Sequence, residues 1–324
     1  MPNPYDTFTA DDVCFSLAHM PDLLADRLGI CLAGCTSGLY RTHTSGLSWH
    51  NLYDRLPMRV NLPVTAVAFS PSFSIDHTMF AAVAGNVFSS PNSGDYWTGV
   101  AIDDPLPTIS CLVVSPNYQN DGALFVGTME HGVYISSDRG QTWRKSNKGL
   151  KSLQVLNMVI SPDYIRHPQL LVGTETGVFR SDNAGQTWRA APLSDTPEPV
   201  LSLAYSIDFS HDHRAYAGTE NQGLFISEDG GKRWTHLESD PEAPLPGAVD
   251  GIYPLENGQL AALAGARMYY CTSTGPGAVT WKIWNPEKVL ENVSAATILL
   301  DPGHPPIAFM GSEGGRFTWV RRED

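Results

Sequence analysis

Four glutamates recur along the chain at a spacing regular enough for a repeating structure to bring them together. Glu130, Glu175 and Glu220 are 45 residues apart, and Glu313 follows about two such intervals later. Carboxylates gathered in one place can attract a cationic peptide, hold a divalent cation, or act as acid and base in glycoside hydrolysis. The choice among these depends on the elements that carry the glutamates, and a sequence repeat defines those elements.

The repeat is clearest in a stretch of about eight residues that ends in tryptophan. It reads SSDRGQTW at 136–143, and the other copies are SPNSGDYW (90–97), SDNAGQTW (181–188), SEDGGKRW (227–234) and the weaker THTSGLSW (42–49) and TSTGPGAVTW (272–281). The six tryptophans that end these copies lie 45 to 48 residues apart. A fixed period of this length indicates an array of one supersecondary unit.

Each copy is predicted to form a hairpin tip with a structural role. The Asp or Asn can accept hydrogen bonds from turn amides, and the glycine two residues later can adopt the positive φ that closes the turn. The predicted structural residues are Asp138, Gly140, Trp143, Asn183, Gly185, Trp188, Asp229, Gly231, Trp234, Trp97 and Trp49.

Four short apolar stretches per repeat predict four antiparallel strands, which is the unit of a β-propeller blade. The first stretch of each repeat is apolar at nearly every position, so we expect a strand buried on both faces. Six copies are complete and a seventh stops one strand short, while residues 5–10 are apolar enough to supply that strand. The sequence therefore predicts an all-β chain with a single domain over 1–324. This domain is a seven-bladed propeller, closed by its N-terminal strand pairing in the last blade.

The S-x-D-x-G-x-T-W stretches resemble the Asp-box, or BNR, repeat of sialidases, sortilin-type receptors and some xyloglucanases. The phrase formed by Ser115-Pro116, Asp121, Phe125 and Gly127-Thr128 is most similar to the photosystem II assembly factor group and its WD40/YVTN/BNR-like relatives. This resemblance implies a propeller whose boxes lie at strand tips, with ligands bound on the opposite face around a central channel. It covers nearly the whole chain, but one such scaffold hosts many functions.

In a propeller, the turn between the second and third strands lies on the face where the first strand begins. We expect these turns and the connections between blades to form an acidic rim at the channel mouth. The predicted rim comprises Glu130, His131, Glu175, Glu220, Asn221, Arg267, Glu313, Arg59 and Asp104.

Three interpretations of this rim remain open. It could bind a cationic or polar segment of a partner protein, which would make the chain a non-catalytic scaffold. It could instead form a carboxylate-rich active site of a hydrolase or lyase, glycoside hydrolase-like and assisted by a divalent cation. In the third interpretation each glutamate only faces solvent. No catalytic residue can be assigned, because the arginines that clamp a carboxylate in sialidases do not recur at matching positions.

Composition limits the partners and the cellular location. The formal net charge of −13 argues against nucleic acid, because a phosphate-binding surface needs clustered Lys and Arg. No apolar run is long enough for membrane insertion, and the N-terminus lacks the pattern of a signal peptide. The five scattered cysteines predict neither a disulfide framework nor a zinc site. We therefore expect a cytoplasmic protein without a cofactor, unless a divalent cation binds at the channel mouth.

Overall fold

The computed structural model shows a seven-bladed β-propeller built from seven antiparallel sheets. It describes residues 12–22, 27–44, 46–58, 60–275, 277–285, 290–300 and 304–322. Within each sheet the strands lie side by side in chain order. Six sheets have four strands, and the last has three among the described residues. Within this described part, none of the helices has the length and apolar character needed to cross a membrane.

The strands of the first three sheets are β1 (Cys14–Asp22), β2 (Arg27–Cys35), β3 (Gly38–Thr42) and β4 (His50–Asn51), then β5 (Val64–Phe69), β6 (Met79–Val83), β7 (Asn86–Ser90) and β8 (Thr98–Ala101), then β9 (Ile109–Val114), β10 (Leu124–Thr128), β11 (Gly132–Ser136) and β12 (Arg144–Lys145).

The strands of the last four sheets are β13 (Val155–Ile160), β14 (Leu170–Thr174), β15 (Gly177–Ser181) and β16 (Arg189–Ala191), then β17 (Val200–Tyr205), β18 (Ala215–Thr219), β19 (Leu224–Ser227) and β20 (Thr235–His236), then β21 (Val249–Pro254), β22 (Leu260–Ala264), β23 (Arg267–Cys271) and β24 (Lys282–Ile283), and finally β25 (Val293–Leu299), β26 (Ile307–Ser312) and β27 (Phe317–Arg321). The short helices are α1 (Phe73–Asp76), α2 (Tyr118–Asp121) and α3 (Phe209–Asp212), with single 3₁₀ turns at Tyr53–Arg55 and Glu256–Gly258.

Contacts between residues group the chain into two compact units. The first unit comprises Met1–Leu124, Ser136–Trp143 and Leu290–Asp324, and the second comprises Phe125–Ile135 and Arg144–Val289. A single domain over 1–324 stays a prediction from the sequence.

In the first unit, β1 packs against both β5 and β25, so the last sheet neighbours the first. Glycines on the second strands allow this close approach. A Cβ on Gly34 would lie 2.6 Å from the carbonyl oxygen of Val64, and one on Gly311 would lie 3.0 Å from the Cβ of Cys14. The same kind of contact therefore joins the first sheet to the second and the last sheet to the first. The strand predicted at residues 5–10 lies outside the described residues, so its pairing stays a prediction.

The second unit repeats this packing, with β13 against β17 and β17 against β21. A Cβ on Gly173 would lie 2.7 Å from the Val200 carbonyl oxygen, and one on Gly218 would lie 2.6 Å from Cγ1 of Val249. Buried apolar side chains of successive sheets fill the space around these contacts. Burial of this apolar surface between neighbouring sheets is the main stabilising term of the array.

One expectation from the sequence needs correction. The first strands are only partly buried, whereas the second strands β10, β14, β18 and β22 are buried at every residue. The reason is that each first strand is an edge strand of its sheet, while each second strand has a neighbour on both sides. The connection after β5, β9 and β17 contains a one-turn helix. In α2, for example, the Ser115 hydroxyl donates to the Asp121 carboxylate at 2.7 Å.

Candidate functional site

The turns between second and third strands lie at the end of each sheet where the first strand begins. In the fourth sheet, Val155 at the start of β13 pairs with Thr174 at the end of β14. Three such turns belong to the second unit and carry glutamates that are all exposed to solvent, namely Glu130, Glu175 and Glu220. The sequence spacing therefore places one carboxylate at the same position of three successive sheets. We call these residues the turn glutamates.

A buried threonine closes each of these turns. Its hydroxyl donates at 2.9 Å to the carbonyl oxygen of the glycine that starts, or immediately precedes, the third strand. The three pairs are Thr128 with Gly132, Thr174 with Gly177, and Thr219 with Gly223. Because the threonine at the end of the second strand makes this bond, the same type of side chain closes all three turns.

The turn that carries Glu130 is further fixed by Asn147, which follows β12. The Asn147 side chain donates to the carbonyl oxygen of His131 at 2.8 Å and accepts from the Val133 amide at 2.8 Å. The imidazole of His131 lies 3.4 Å from the Tyr134 hydroxyl, measured to Nδ1. His131 is thus a half-buried part of a rigid turn beside an exposed carboxylate.

The turn that carries Glu220 is held by Glu198, a carboxylate that the sequence analysis missed. Glu198 lies in the connection between β16 and β17 and is buried, with 8% of its surface exposed. It accepts from the Asn221 amide at 2.6 Å and from the Gln222 side chain at 3.2 Å. The Asn221 side chain lies 3.5 Å from the Glu220 carboxylate. Glu198 is structural, whereas Glu220 and Asn221 face solvent.

The same position of the sixth sheet carries a cation instead. Arg267 is the first residue of β23, pairs with Ala264 of β22 and is half-buried. It gives the second unit one positive charge among the turn glutamates of the preceding sheets.

The remaining predicted rim residues belong to the first unit. Glu313 follows β26 and Asp104 lies between β8 and β9, and both are exposed. Arg59 lies outside the described residues. The structure also places a buried carboxylate here, because Asp12 accepts from the Ser37 amide at 2.9 Å and from the Ser37 hydroxyl at 2.8 Å. Asp12 thus holds a turn of the first sheet as Glu198 holds one of the fifth.

The box residues lie at the opposite ends of the sheets, between third and fourth strands. Asp138 accepts from the Thr142 hydroxyl at 2.5 Å, from the Thr142 amide at 2.9 Å and from the Ser136 hydroxyl at 2.7 Å. These hydrogen bonds lower the pKa of Asp138 to about 2, with the Thr142 hydroxyl contributing most. The Gly140 amide donates to the Ser136 hydroxyl at 2.8 Å, and its φ is +84°.

The other boxes repeat this geometry with either Asp or Asn. The amides of Gly185 and Gly231 donate to the box serines at 2.9 and 2.8 Å, and both glycines have positive φ. Asn183 accepts from the Ser181 hydroxyl at 2.9 Å, as Asp229 accepts from the Ser227 hydroxyl. An amide serves as well as a carboxylate here, which is expected of a structural group and not of a catalytic acid.

The tryptophans of the boxes are anchored in two ways. The indole of Trp97 donates to the Gly94 carbonyl of its own turn at 3.1 Å. The indole of Trp188 instead reaches the preceding sheet and donates to the Ser146 carbonyl at 2.7 Å. Trp49, in the first unit, packs with ring centroids 4.5 Å from Phe317 of the last sheet. Trp143 is half-buried and Trp234 is buried.

Within the residues that the structure describes, no cluster of three or more His, Cys, Asp or Glu side chains could hold a metal ion. The turn glutamates are exposed carboxylates on turns that buried threonines close.

Comparison with known proteins agrees with the repeat and the fold. The family model for Sortilin-Vps10, described as sortilin and neurotensin receptor 3, matches residues 131–245. No curated protein matches the chain. The seven sheets, the box geometry and this match point to one type of array. The chain is a seven-bladed β-propeller with BNR-like repeats.

Solved structures share the propeller at low sequence identity. The extracellular domain of the one-component system BT4673 from B. thetaiotaomicron is 17% identical with a TM-score of 0.69, and the match covers 99% of this chain but only 40% of that one. YCF48 bound to D1 peptide is 15% identical with a TM-score of 0.68, covering 99% and 98%. The Niastella koreensis GH74 enzyme is 17% identical with a TM-score of 0.61, covering 94% and 51%. This propeller thus spans about two fifths of the length of the BT4673 chain.

Proposed function

We propose that this propeller is a non-catalytic interaction platform that binds a cationic segment of a partner protein at the channel mouth. The observation that carries the proposal is the recurrence of exposed carboxylates at one position of three successive turns. In each turn the threonine makes the closing hydrogen bond, and Glu130, Glu175 and Glu220 are exposed to solvent. Exposed carboxylates on rigid turns are suited to steer and orient a basic peptide.

The overall charge supports a cationic partner. The chain has 34 acidic and 21 basic residues, which gives the formal net charge of −13. Each exposed ion pair between a turn glutamate and a Lys or Arg is worth roughly 0.2–1 kcal/mol, so several together are needed for selectivity. Such binding should weaken as salt is added, because exposed charges are screened.

The likeness to YCF48 bound to D1 peptide supports a peptide or protein partner in general, since that propeller is bound to a peptide. The likeness to the GH74 enzyme supports the alternative, a glycoside hydrolase-like enzyme or lyase that uses the same carboxylates. Neither likeness names a ligand for this chain. A cytoplasmic location and the absence of a nucleic-acid partner stay predictions from composition.

The proposal can be tested by selecting peptides from a random displayed library with the purified protein as bait. We expect the selected peptides to be rich in Lys and Arg. Changing the turn glutamates together (Glu130→Gln, Glu175→Gln, Glu220→Gln) should weaken their binding roughly tenfold, as expected from the loss of three exposed ion pairs.

A matched control removes the same charge from the opposite ends of the sheets. It combines the substitutions Asp208→Asn, Glu228→Gln and Glu256→Gln. All three residues are exposed and belong to the second unit. Asp208 and Glu256 lie in first-to-second-strand connections, and Glu228 lies in a box turn. This control should bind the selected peptides as the parent does. Equal binding by all three proteins would refute the proposal. If the parent protein hydrolyses xyloglucan and the triple Glu→Gln variant does not, the enzyme alternative is established instead.

A further inference from the structure

An apolar pocket lies in the first unit, at the sheet ends that carry the second-to-third-strand turns. It has a volume of about 390 Å³ and is lined by nine residues, among them Leu62, Pro63, Ala84, Leu106, Pro107 and Ile109. The other lining residues are glycine and threonine, so no lining side chain is charged or aromatic. This size is at the lower end of ligand clefts and suits one or two side chains.

The first wall of the pocket is held in place by a buried tyrosine. The hydroxyl of Tyr53 accepts from the Leu62 amide at 2.8 Å and donates to the Val60 carbonyl at 3.0 Å. Tyr53 is 2% exposed, so this pair of hydrogen bonds is shielded from competing water. The connection from Val60 to Leu62 is thus fixed before any ligand arrives.

The second wall is fixed by a glycine contact. The Ile102 amide donates to the Gly85 carbonyl at 3.1 Å, and a Cβ on Gly85 would lie 2.7 Å from the Cβ of Leu106. The φ of Gly85 is +74°, a conformation that glycine adopts without strain. The pocket is therefore preformed on both sides, which lowers the entropy lost on binding.

The rim of the pocket leaves apolar surface in water. Leu106 is 52% exposed, while Ile109 in the pocket is only 2% exposed. The Leu106 side chain can therefore contact a ligand that enters this preformed apolar pocket. Asp103 and Asp104 directly precede the Pro105–Leu106 rim, and Asp104 is exposed. A ligand that combines an aliphatic group with a positive charge would complement both features.

We propose that this pocket holds an aliphatic side chain of a partner peptide, with a Lys or Arg beside that side chain facing Asp104. The inference rests on the proposed function and adds an apolar anchor to it. A sugar is a poor occupant, because none of the lining residues offers the aromatic face, carboxylate or amide that usually binds one. Burial of one leucine side chain should make such a peptide at least about tenfold tighter than its polar counterpart.

Two synthetic peptides test the anchor. One has the sequence Lys-Arg-Leu-Lys-Arg and the other Lys-Arg-Ser-Lys-Arg, both acetylated and amidated. Titration into methyl-labelled protein, followed by NMR, should show tighter binding of the leucine peptide. The methyl signals of Leu62, Leu106 and Ile109 should shift with that peptide and stay unchanged with the serine peptide.

Two variants locate the effect. Leu106→Ser should abolish the advantage of the leucine peptide. The control Leu153→Ser removes a leucine that is 42% exposed in the equivalent connection, between β12 and β13, and should keep the advantage. Because both leucines are exposed, neither change removes a core side chain.

The outcomes separate the pocket from the turn glutamates. Equal, salt-sensitive binding of both peptides with unchanged pocket signals would overturn the anchor and leave the proposed function standing. Absence of binding by either peptide, with unchanged methyl signals of the pocket, would also overturn the anchor. If N-acetyl-leucine amide and the leucine peptide both shift the pocket signals while the triple Glu→Gln variant binds normally, the anchor stands and the proposed function fails.

Discussion

Replacing Gly149 by alanine should be one of the most destabilising single-methyl changes in the second unit. Gly149 follows β12 and has a φ of +89°. A Cβ there would lie 2.1 Å from the carbonyl oxygen of Trp188, which is backbone and cannot move alone. The Trp188 amide donates to the Lys148 carbonyl at 2.8 Å and its indole donates to the Ser146 carbonyl at 2.7 Å. The methyl group would therefore push the fourth sheet's tryptophan away from the third sheet's last strand.

The cost can be estimated from three contributions. The left-handed conformation costs an alanine about 1 kcal/mol, loss of a buried hydrogen bond costs about 1 kcal/mol, and partial exposure of the indole, now 3% exposed, costs about 1 kcal/mol more. The total of about 3 kcal/mol corresponds to a fall in Tm of about 4 °C for a chain of 324 residues.

Gly223→Ala is the matched control. Gly223 also has a positive φ, of +70°, but the nearest atom to its Cβ would be Nε2 of His236 at 3.7 Å. Only the conformational cost applies, so we expect about 1 kcal/mol and a fall in Tm of about 1.5 °C. Urea unfolding followed by tryptophan fluorescence measures both. Equal losses of stability in the two variants would refute the argument that Gly149 is required by the Trp188 contact.

Three further predictions concern ionisable and polar groups. Burial lowers the pKa of His19 from 6.5 to about 4, so the unfolded state binds a proton at a higher pH than the folded state does. The free energy of unfolding should therefore fall by at most about 3 kcal/mol as the pH is lowered from 6.5 to 4. In urea unfolding measured over this pH range, His19→Leu should lack this slope. The pKa of Asp138 is lowered from 3.8 to about 2, so its contribution is present above pH 4 and lost between pH 4 and 2; in Asp138→Asn, which imitates Asn183, the acid unfolding curve should be flatter there. Glu198→Ala leaves the Asn221 amide without its acceptor, so hydrogen exchange at that amide should accelerate and stability should fall by about 1–3 kcal/mol.

Much of the fold follows from the sequence because the boxes repeat a local chemistry. A serine or threonine, an Asp or Asn and a glycine at fixed spacing dictate one turn, and its recurrence sets the length and number of the sheets. The sequence alone does not explain the glycine of the Gly-Thr phrase. The structure gives its reason, since Gly173 and Gly218 make room for the first strand of the next sheet.

Other features could not be predicted because they depend on contacts between distant residues. Glu198 and Asp12 accept hydrogen bonds from turns that lie 23 and 25 residues further along the chain. The spacing of charges in the sequence does not show which carboxylates are buried by such contacts. The one-turn helices, by contrast, had a readable signal in the serine and aspartate six residues apart. The turn glutamates were placed correctly on second-to-third-strand turns, but their role as a binding rim stays a prediction.

The measurement that tests the central proposal most directly is the salt dependence of binding for a library-selected basic peptide, compared between the parent protein and the triple variant Glu130→Gln, Glu175→Gln, Glu220→Gln. Because salt screens the three ion pairs between the turn glutamates and the peptide, the parent's affinity should fall steeply with added salt. The variant's affinity should be lower and should fall less steeply. The control with Asp208, Glu228 and Glu256 changed should follow the parent. Identical salt dependence for all three proteins would contradict the account, because the turn glutamates would then contribute nothing to recognition.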